Sequence, residues 1–370
     1  RHIGIAGSLG QRTDAALEAK AKQALDRQIA YPFKPASAPP RHESVEATIS
    51  DSEAFVGEIE KLLDELRTRH PGFRFSNKAN LATRSARMAN DNGLDFSYEA
   101  TTAEVELLVK EEESANLLDT FVGFDGPRYS REAVLAVADI ACGTYRNLVD
   151  LPTGTVPVCF FATDTTYLSK MLEALHGLLL GSGSSLFSGR IGEQLFTDRL
   201  TIRQSRARAD EIYRPFFDFE GTTNAGDSVA LIEDGVLRTG YTNRTYARTF
   251  ELPLTGAATG EYDAVPDLGP PSLVVDHAGR TAAALLDGRP ALLVFVAAGG
   301  DFTPDGAFAS PVQVGYVFDG ERVIGKAPEA AVSSHLYSMF GEDFIGVSSD
   351  SLFPDTSSRL FIAEMDVTTA

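Results

Sequence analysis

"LDFSYEATTAEVELLVK", residues 94–110, decides how the first half of this chain folds. Apolar and polar side chains alternate along it. A period of two sends neighbouring side chains to opposite faces of a sheet, whereas a helix needs a period near 3.6. The same alternation runs through "FRFSN" (73–77) and "LATRSARMAN" (81–90), and Asn92-Gly93 supplies residues that tolerate the left-handed conformations of a tight hairpin. The stretch from Phe73 to about Glu112 is therefore expected to be antiparallel strands.

Outward from this sheet the period changes. "SEAFVGEIEKLLDELRTRH" (52–70) places Phe55, Val56, Ile59, Leu62, Leu63 and Leu66 at helical spacing, with Asp51 or Ser52 as the cap and Pro71-Gly72 as the stop. "SREAVLAVADIACGTYRNL" (130–148) predicts a second helix capped near Ser130. With a short strand at 43–49, residues 43–150 read as an α+β domain with helices packed on one sheet face. Before it, "RHIGIAGSLG" predicts a short strand and turn, Thr13-Asp14 opens an Ala-rich helix to about Gln28, and Tyr31–Arg41 is a Pro-rich linker. Residues 151–370 read as a mainly β domain, barrel-like or sandwich-like. It opens with "LPTGTVPVCFFA", carries Asp-Gly hairpins in "SVALIEDGVLRTGY", "FTPDGAFAS" and "VGYVFDGERVIG", and ends on the strand "SRLFIAEMDV". "LSKMLEALHGLLLGSGSSLFSGRIGEQ" (168–194) reads as helix, glycine-serine turn and second helix. The fold class is thus α+β throughout.

Composition narrows the function. The 33 Lys+Arg against 52 Asp+Glu give a formal charge of −19, which repels phosphate backbones and argues against nucleic acid as a partner. Arg199, Arg203, Arg206, Arg208 and Arg214 are expected to be a solvated face. The longest apolar run, "ALLVFVAA" (291–298), is too short to span a bilayer, so no membrane partner is expected and the cytoplasm is the expected compartment. Cys142 and Cys159 suit buried free thiols.

Chemistry is sparse. The glycine-rich runs at 4–10 and 181–189 lack the Gly-Lys-Ser/Thr ending of a phosphate loop, and no Gly-x-Ser-x-Gly elbow joins a strand to a helix. The six histidines are widely separated. Glu173 and His176 stand at i, i+3 and, on a continuous helix, would share a face as two ligands or an acid–base pair.

Several segments in order resemble the PmbA/TldD family, once called modulators of DNA gyrase: "NDNGLDFSYEATTAEVELLV", "LPTGTVPV", "GSSLFSGRIGEQLFTDRLTI", "EGTTNAGDSVALIEDGVLRTGYTNRTYAR" and "EAAVSSHLYSMFGEDFIGVSSD". The resemblance runs from about Val45 to the C-terminus. Residues 1–42 are then a remnant of the family's first β-rich segment plus the linker. The resemblance implies a two-subunit metalloprotease. Its TldD-like type carries His-Glu-x-x-x-His on the helix before the Gly-Ser turn, with a cysteine near the C-terminus as a further zinc ligand. Its PmbA/TldE-like type keeps the fold without the ligands. Alignment on "SLFSGRIGE" puts Leu168 and Glu173 at the two histidine positions and Ser169 at that of the glutamate, while "GVSSDSLFPDTSSRLFIA" holds no cysteine.

The resemblance therefore implies a non-catalytic, TldE-like subunit without metal, paired with a zinc-bearing TldD-like partner. Together they would act on unfolded or modified peptides, bound by strand addition. Leu168, Ser169, Glu173 and His176 are the pseudo-active-site positions. Gly183, Ser185, Gly189, Arg190 and Glu193 match the family's turn as interface or cleft residues, with turn, cap and i, i+3 pairing as their plain structural roles. Two rivals stand beside this reading. One is a stand-alone divergent enzyme using Glu173, His176 and Asp227 in a small-molecule or peptide-maturation pathway. The other is a homodimeric peptide-binding protein.

Overall fold

The computed structural model describes residues 1–369 except 11, 117–118, 152, 262 and 354–357. Phe73–Ala89 and Asp95–Glu111 form one unbroken hairpin, paired residue for residue from Ala89↔Asp95 to Phe73↔Glu111. The expected strand pieces at 73–77 and 81–90 are thus a single strand. On its other side, Asp95–Glu111 takes two neighbours in succession. Arg41–Val45 runs parallel to its first part, and Thr120–Gly126 runs antiparallel to its second.

The helices Ser52–Arg69 and Arg131–Gly143 are capped by Asp51 and Ser130, whose side chains accept from Ala54 and Ala133 N–H. Phe55, Ile59, Leu62 and Leu66 bury against Val105, Leu107, Val109, Val134 and Ala138, at roughly 1.5–3 kcal/mol for each large apolar side chain. Val56 lies on the outer face and is exposed.

The central strand buries opposite faces in its two halves. Phe96, Tyr98 and Ala100 are buried in the first half, then Ala103, Val105, Leu107 and Val109 in the second, so the parity changes at Thr101-Thr102. Side chains alternate strictly, and the switch therefore moves burial from one face of the sheet to the other. The second half lies under the two helices. The first half packs on Phe216 and Phe217 from the C-terminal part of the chain, with Phe96–Phe216 ring centroids 5.0 Å apart. Arg41 fastens the same seam, with bonds of 2.7 and 2.6 Å to the two carboxylate oxygens of Asp227 and its guanidinium 3.9 Å from the Phe216 ring centre.

The C-terminal part is built on a closed ring of strands. Ala291–Ala297 pairs Gly154–Phe161, which pairs Leu360–Thr369, then Ala330–His335, then Ala307–Phe318, which returns to Ala291–Ala297. The expected barrel is present. Closure removes the open edges that such short strands would otherwise expose. The three Asp-Gly hairpins are all formed. Between Ser228–Glu233 and Val236–Leu237, Asp234 and Gly235 have φ of 50° and 75°, the two left-handed residues that match the strand twist.

Two local expectations fail. Residues 1–10 form no strand beyond a single bridge, His2↔Ala30. The second, a solvated arginine face, fails only for Arg203 and Arg206, which are half-buried, while Arg199, Arg208 and Arg214 are exposed. Arg203 is gripped by Asp210 and Asp276, Arg206 is half-buried and donates to Pro215 and Gly256 carbonyls, and Arg208 reaches Ser44 O and Glu43. No described helix is long and apolar enough to cross a membrane. Cys142 and Cys159 are buried and free, and burial pushes the Cys142 thiol up to about 12.

Candidate functional site

Leu168–Gln194 contains less helix than its composition suggests. Ser169–Ala174 and Gly177–Ser182 are helical, and nothing from 184 to 194 is. The first two are separated at His176, whose backbone is extended (φ −66°, ψ 116°) and bridges Tyr241. Gly177 N–H donates to Tyr241 O (3.0 Å) and Tyr241 N–H donates to Leu175 O (2.9 Å), so a distant strand-like segment takes bonds a continuous helix would keep. Glu173 and His176 consequently do not share a helix face.

Each position expected from the alignment to be a pseudo-active site has a defined neighbour. Leu168 is 3% exposed and belongs to the barrel core with Met171, Leu175, Phe340 and Phe361. Ser169 turns its hydroxyl back onto Thr166 O at 3.1 Å. Glu173 accepts from Lys170 Nζ at 2.9 and 3.0 Å, one bond to each carboxylate oxygen. The Lys170 side chain is 7% exposed and that of Glu173 is 56% exposed, so a buried ammonium is neutralised by a carboxylate at the rim. His176 is half-buried, its ring edge-on to Tyr241 at 5.3 Å, with Nδ1 buried and unpartnered. Burial lowers its pKa. Asp227 is committed to Arg41. Glu173, His176 and Asp227 thus have three separate partner sets and form no triad.

The turn that follows is fixed by its backbone. Gly183 ends the second helix in the left-handed region (φ 86°), and Gly189 turns the chain again (φ 75°). Ser185 Oγ donates to Ala174 O at 2.5 Å and accepts from Phe187 N–H at 3.0 Å, tying the turn to the end of the first helix. Arg190 Nε donates to Glu193 at 2.9 Å, and Nη1 donates to the Tyr337 hydroxyl at 3.0 Å.

Tyr337 and its neighbours were not among the residues expected from spacing. The Tyr337 ring stacks on Phe196 at 5.8 Å and borders a shallow groove of about 460 Å³ that Leu195, Thr197, Arg199, Ser338 and Glu342 also line. His335 Nδ1 accepts from Tyr337 N–H, which leaves the proton on Nε2 to donate to Asp305 O at 3.1 Å. Asp305 accepts from Thr303 Oγ1, and this bond, with one from its own backbone N–H, holds its carboxyl below the usual range. The Lys170–Glu173 and Arg190–Glu193 spacings are local signals. The rest arrives from segments far along the chain.

This arrangement does not fit a zinc ion. Tight binding needs about three nitrogen, sulfur or oxygen donors aimed at one point. At the aligned positions stand a buried hydrocarbon, a hydroxyl bonded to the Thr166 carbonyl and a carboxylate held by a lysine. Among the described residues no three His, Cys, Asp or Glu side chains converge. Residues 354–357 of the cysteine-free C-terminal stretch lie outside the described residues.

A family model, the PmbA/TldA metallopeptidase C-terminal domain, matches residues 153–369, more than half of the chain. Solved structures share the fold. TldE from Thermococcus kodakarensis superposes with a TM-score of 0.75 at 17% identity, covering 96% of this chain and 84% of that one. A candidate modulator of a DNA gyrase from Thermotoga maritima gives 0.74 at 15% identity, covering 99% and 87%. A similar protein from Bacteroides thetaiotaomicron gives 0.72 at 15% identity, covering 99% and 86%. No match was found among curated proteins. The chain belongs to the PmbA/TldD family.

Proposed function

We propose that this member of the PmbA/TldD family is the non-catalytic, TldE-like subunit of a two-subunit metalloprotease. It would complete, with a zinc-bearing TldD-like partner in the cytoplasm, a cleft for extended peptides. The observation that carries the reading is the Lys170–Glu173 pair beside buried Leu168. A cation already neutralises the one carboxylate at an aligned ligand position, and the other aligned position is core. The helix and turn persist as scaffold, held by Ser185 and Arg190 rather than by a metal. The groove beside Tyr337 is lined by Leu195 and Phe196 together with Thr197, Arg199, Ser338 and Glu342, a mixed apolar and polar surface open to an extended peptide.

Metal analysis and peptidase assays test this, on the purified chain alone and after mixing with a TldD-like subunit carrying His-Glu-x-x-x-His. The expected result is negligible bound zinc and no hydrolysis for the chain alone, with both present in the mixture. Stoichiometric zinc in the lone chain, together with chelator-sensitive peptide hydrolysis, would overturn it.

A further inference from the structure

The hairpin strand Phe73–Ala89 is an edge strand along its whole length. It pairs only Asp95–Glu111, and no other described strand or bridge reaches it. Which of its backbone groups face outward follows from the hydrogen bonds at its two ends. Asn90 N–H donates inward to Leu94 O (3.1 Å), and Gly72 O accepts from Glu112 N–H (3.0 Å), so even-numbered residues face the partner strand. Phe73 N–H turns the other way, to His70 O (3.0 Å). In an antiparallel ladder one residue's N–H and C=O point to the same side and the next residue's to the opposite side. The odd-numbered residues from Phe75 to Arg87 therefore present their N–H and C=O groups outward.

Sheet proteins usually shield such an edge with a bulge, a proline, a short strand or a covering loop. This strand has an unbroken register and no proline. Ser76–Asn80 and Thr83–Ser85 are exposed, so neither face hinders an arriving strand there.

Charge decides what can arrive. The strand carries Arg74, Lys78, Arg84 and Arg87 and no carboxylate. Pairing with a second copy about a two-fold centred on Leu81 would set Lys78 opposite Arg84, and no self-pairing can set a carboxylate of the strand opposite a cation, because it has none. Arg74, Lys78 and Arg87 have partners on the neighbouring strand or just beyond its end, in Glu112, Glu106 and Asp95. Arg84, near mid-edge, forms no ion pair among the described residues. A strand bearing carboxylates is the complement. The cleft proposed above lies with the barrel, whereas this edge belongs to the helix-backed sheet, so a folded subunit matches it as occupant rather than the substrate.

We infer that Phe73–Ala89 is the docking edge for an acidic edge strand of the zinc-bearing partner subunit, which extends the N-terminal sheet across the heterodimer. This rests on the function proposed above and names the surface through which that complex forms.

Hydrogen–deuterium exchange resolved to single residues tests it, on the full chain free and mixed with a TldD-like subunit from the same organism. In the complex, the amides of Asn77, Ala79, Thr83 and Ser85 are expected to slow by about tenfold or more, while those of Lys78, Ala82 and Arg84 stay as they were. The double variant Ala79→Pro/Thr83→Pro removes two outward donors and leaves the inward ladder intact, a place where proline is tolerated. It should weaken the complex by about tenfold or more. Arg84→Glu should weaken it too, with the difference fading at high salt. If the proline variant does not fold, the wild-type exchange pattern decides. Complex formation without the odd–even difference, or a folded proline variant that binds as wild type does, would overturn the docking edge alone. Self-association of the chain through the same odd-numbered amides would overturn the choice of partner. No complex with the wild-type chain would overturn this inference together with the proposed function.

Discussion

Two neighbouring elements each carry an i, i+3 ion pair at 2.9 Å, Lys170–Glu173 on the helix Ser169–Ala174 and Arg190–Glu193 on the turn that follows Gly183. They are not equivalent. Lys170 is sunk in the protein with Glu173 as its neutralising partner, beside a leucine that belongs to the barrel core. Arg190 is partly exposed and shares itself between Glu193 and Tyr337. Burying an ammonium makes its counter-charge obligatory, whereas an exposed guanidinium has water as a substitute. The helix is therefore bound to the stability of the whole barrel, and the turn is a surface whose shape comes from glycine conformations and two side-chain ties.

Three measurements sharpen or break this contrast. The largest effect is expected at Leu168. Leu168→Ala should cost about 3 kcal/mol in denaturant unfolding, because it opens a cavity among Met171, Phe340 and Phe361. A loss below 1 kcal/mol would mean the aligned ligand position is not core after all. Next, Glu173→Gln should cost about 1 kcal/mol by leaving Lys170 short of its counter-charge, discounted because the carboxylate end is wet. Arg190→Ala should cost about 0.5 kcal/mol or less, and equal losses at the two pairs would erase the distinction drawn here.

The smallest effect concerns pH. His176 has a folded-state pKa lowered from 6.5 by burial, so the unfolded chain binds its proton more readily. Stability is then complete above about 6.5 and falls as pH drops through that value toward the lowered folded-state one. His176→Phe should flatten this part of a stability–pH curve without changing its shape near neutrality. An unchanged slope would show that the ring titrates as in water.

The same two regions show what a local pattern can and cannot carry. The hairpin was legible because its alternation, its Asn92-Gly93 turn and its flanking caps at Asp51 and Ser130 are all neighbours in sequence. The barrel hairpins were legible for the same reason, with Asp234-Gly235 as the clearest case. The cleft was not. Helix propensity continues smoothly through His176, and only Tyr241, arriving from far along the chain, breaks it by taking its hydrogen bonds. The second helix expected after Gly183 fails likewise. Gly192 and Leu195 N–H donate to Leu237 and Gly235, so that stretch lies against a hairpin instead of coiling. Alignment could pick out Leu168, Ser169 and Glu173 as positions, but Lys170 as the buried partner of Glu173 required the fold.

The change of parity at Thr101-Thr102 has an outcome for the gene as much as for the protein. Two separate interiors read their inward residues from one continuous ribbon, on opposite counts, odd for one and even for the other. Removing or adding a single codon within that ribbon would keep one interior in phase and turn the other inside out. Lineages of this chain should therefore vary freely in the letters at Thr101 and Thr102 and hardly at all in the number of letters between Phe96 and Val109.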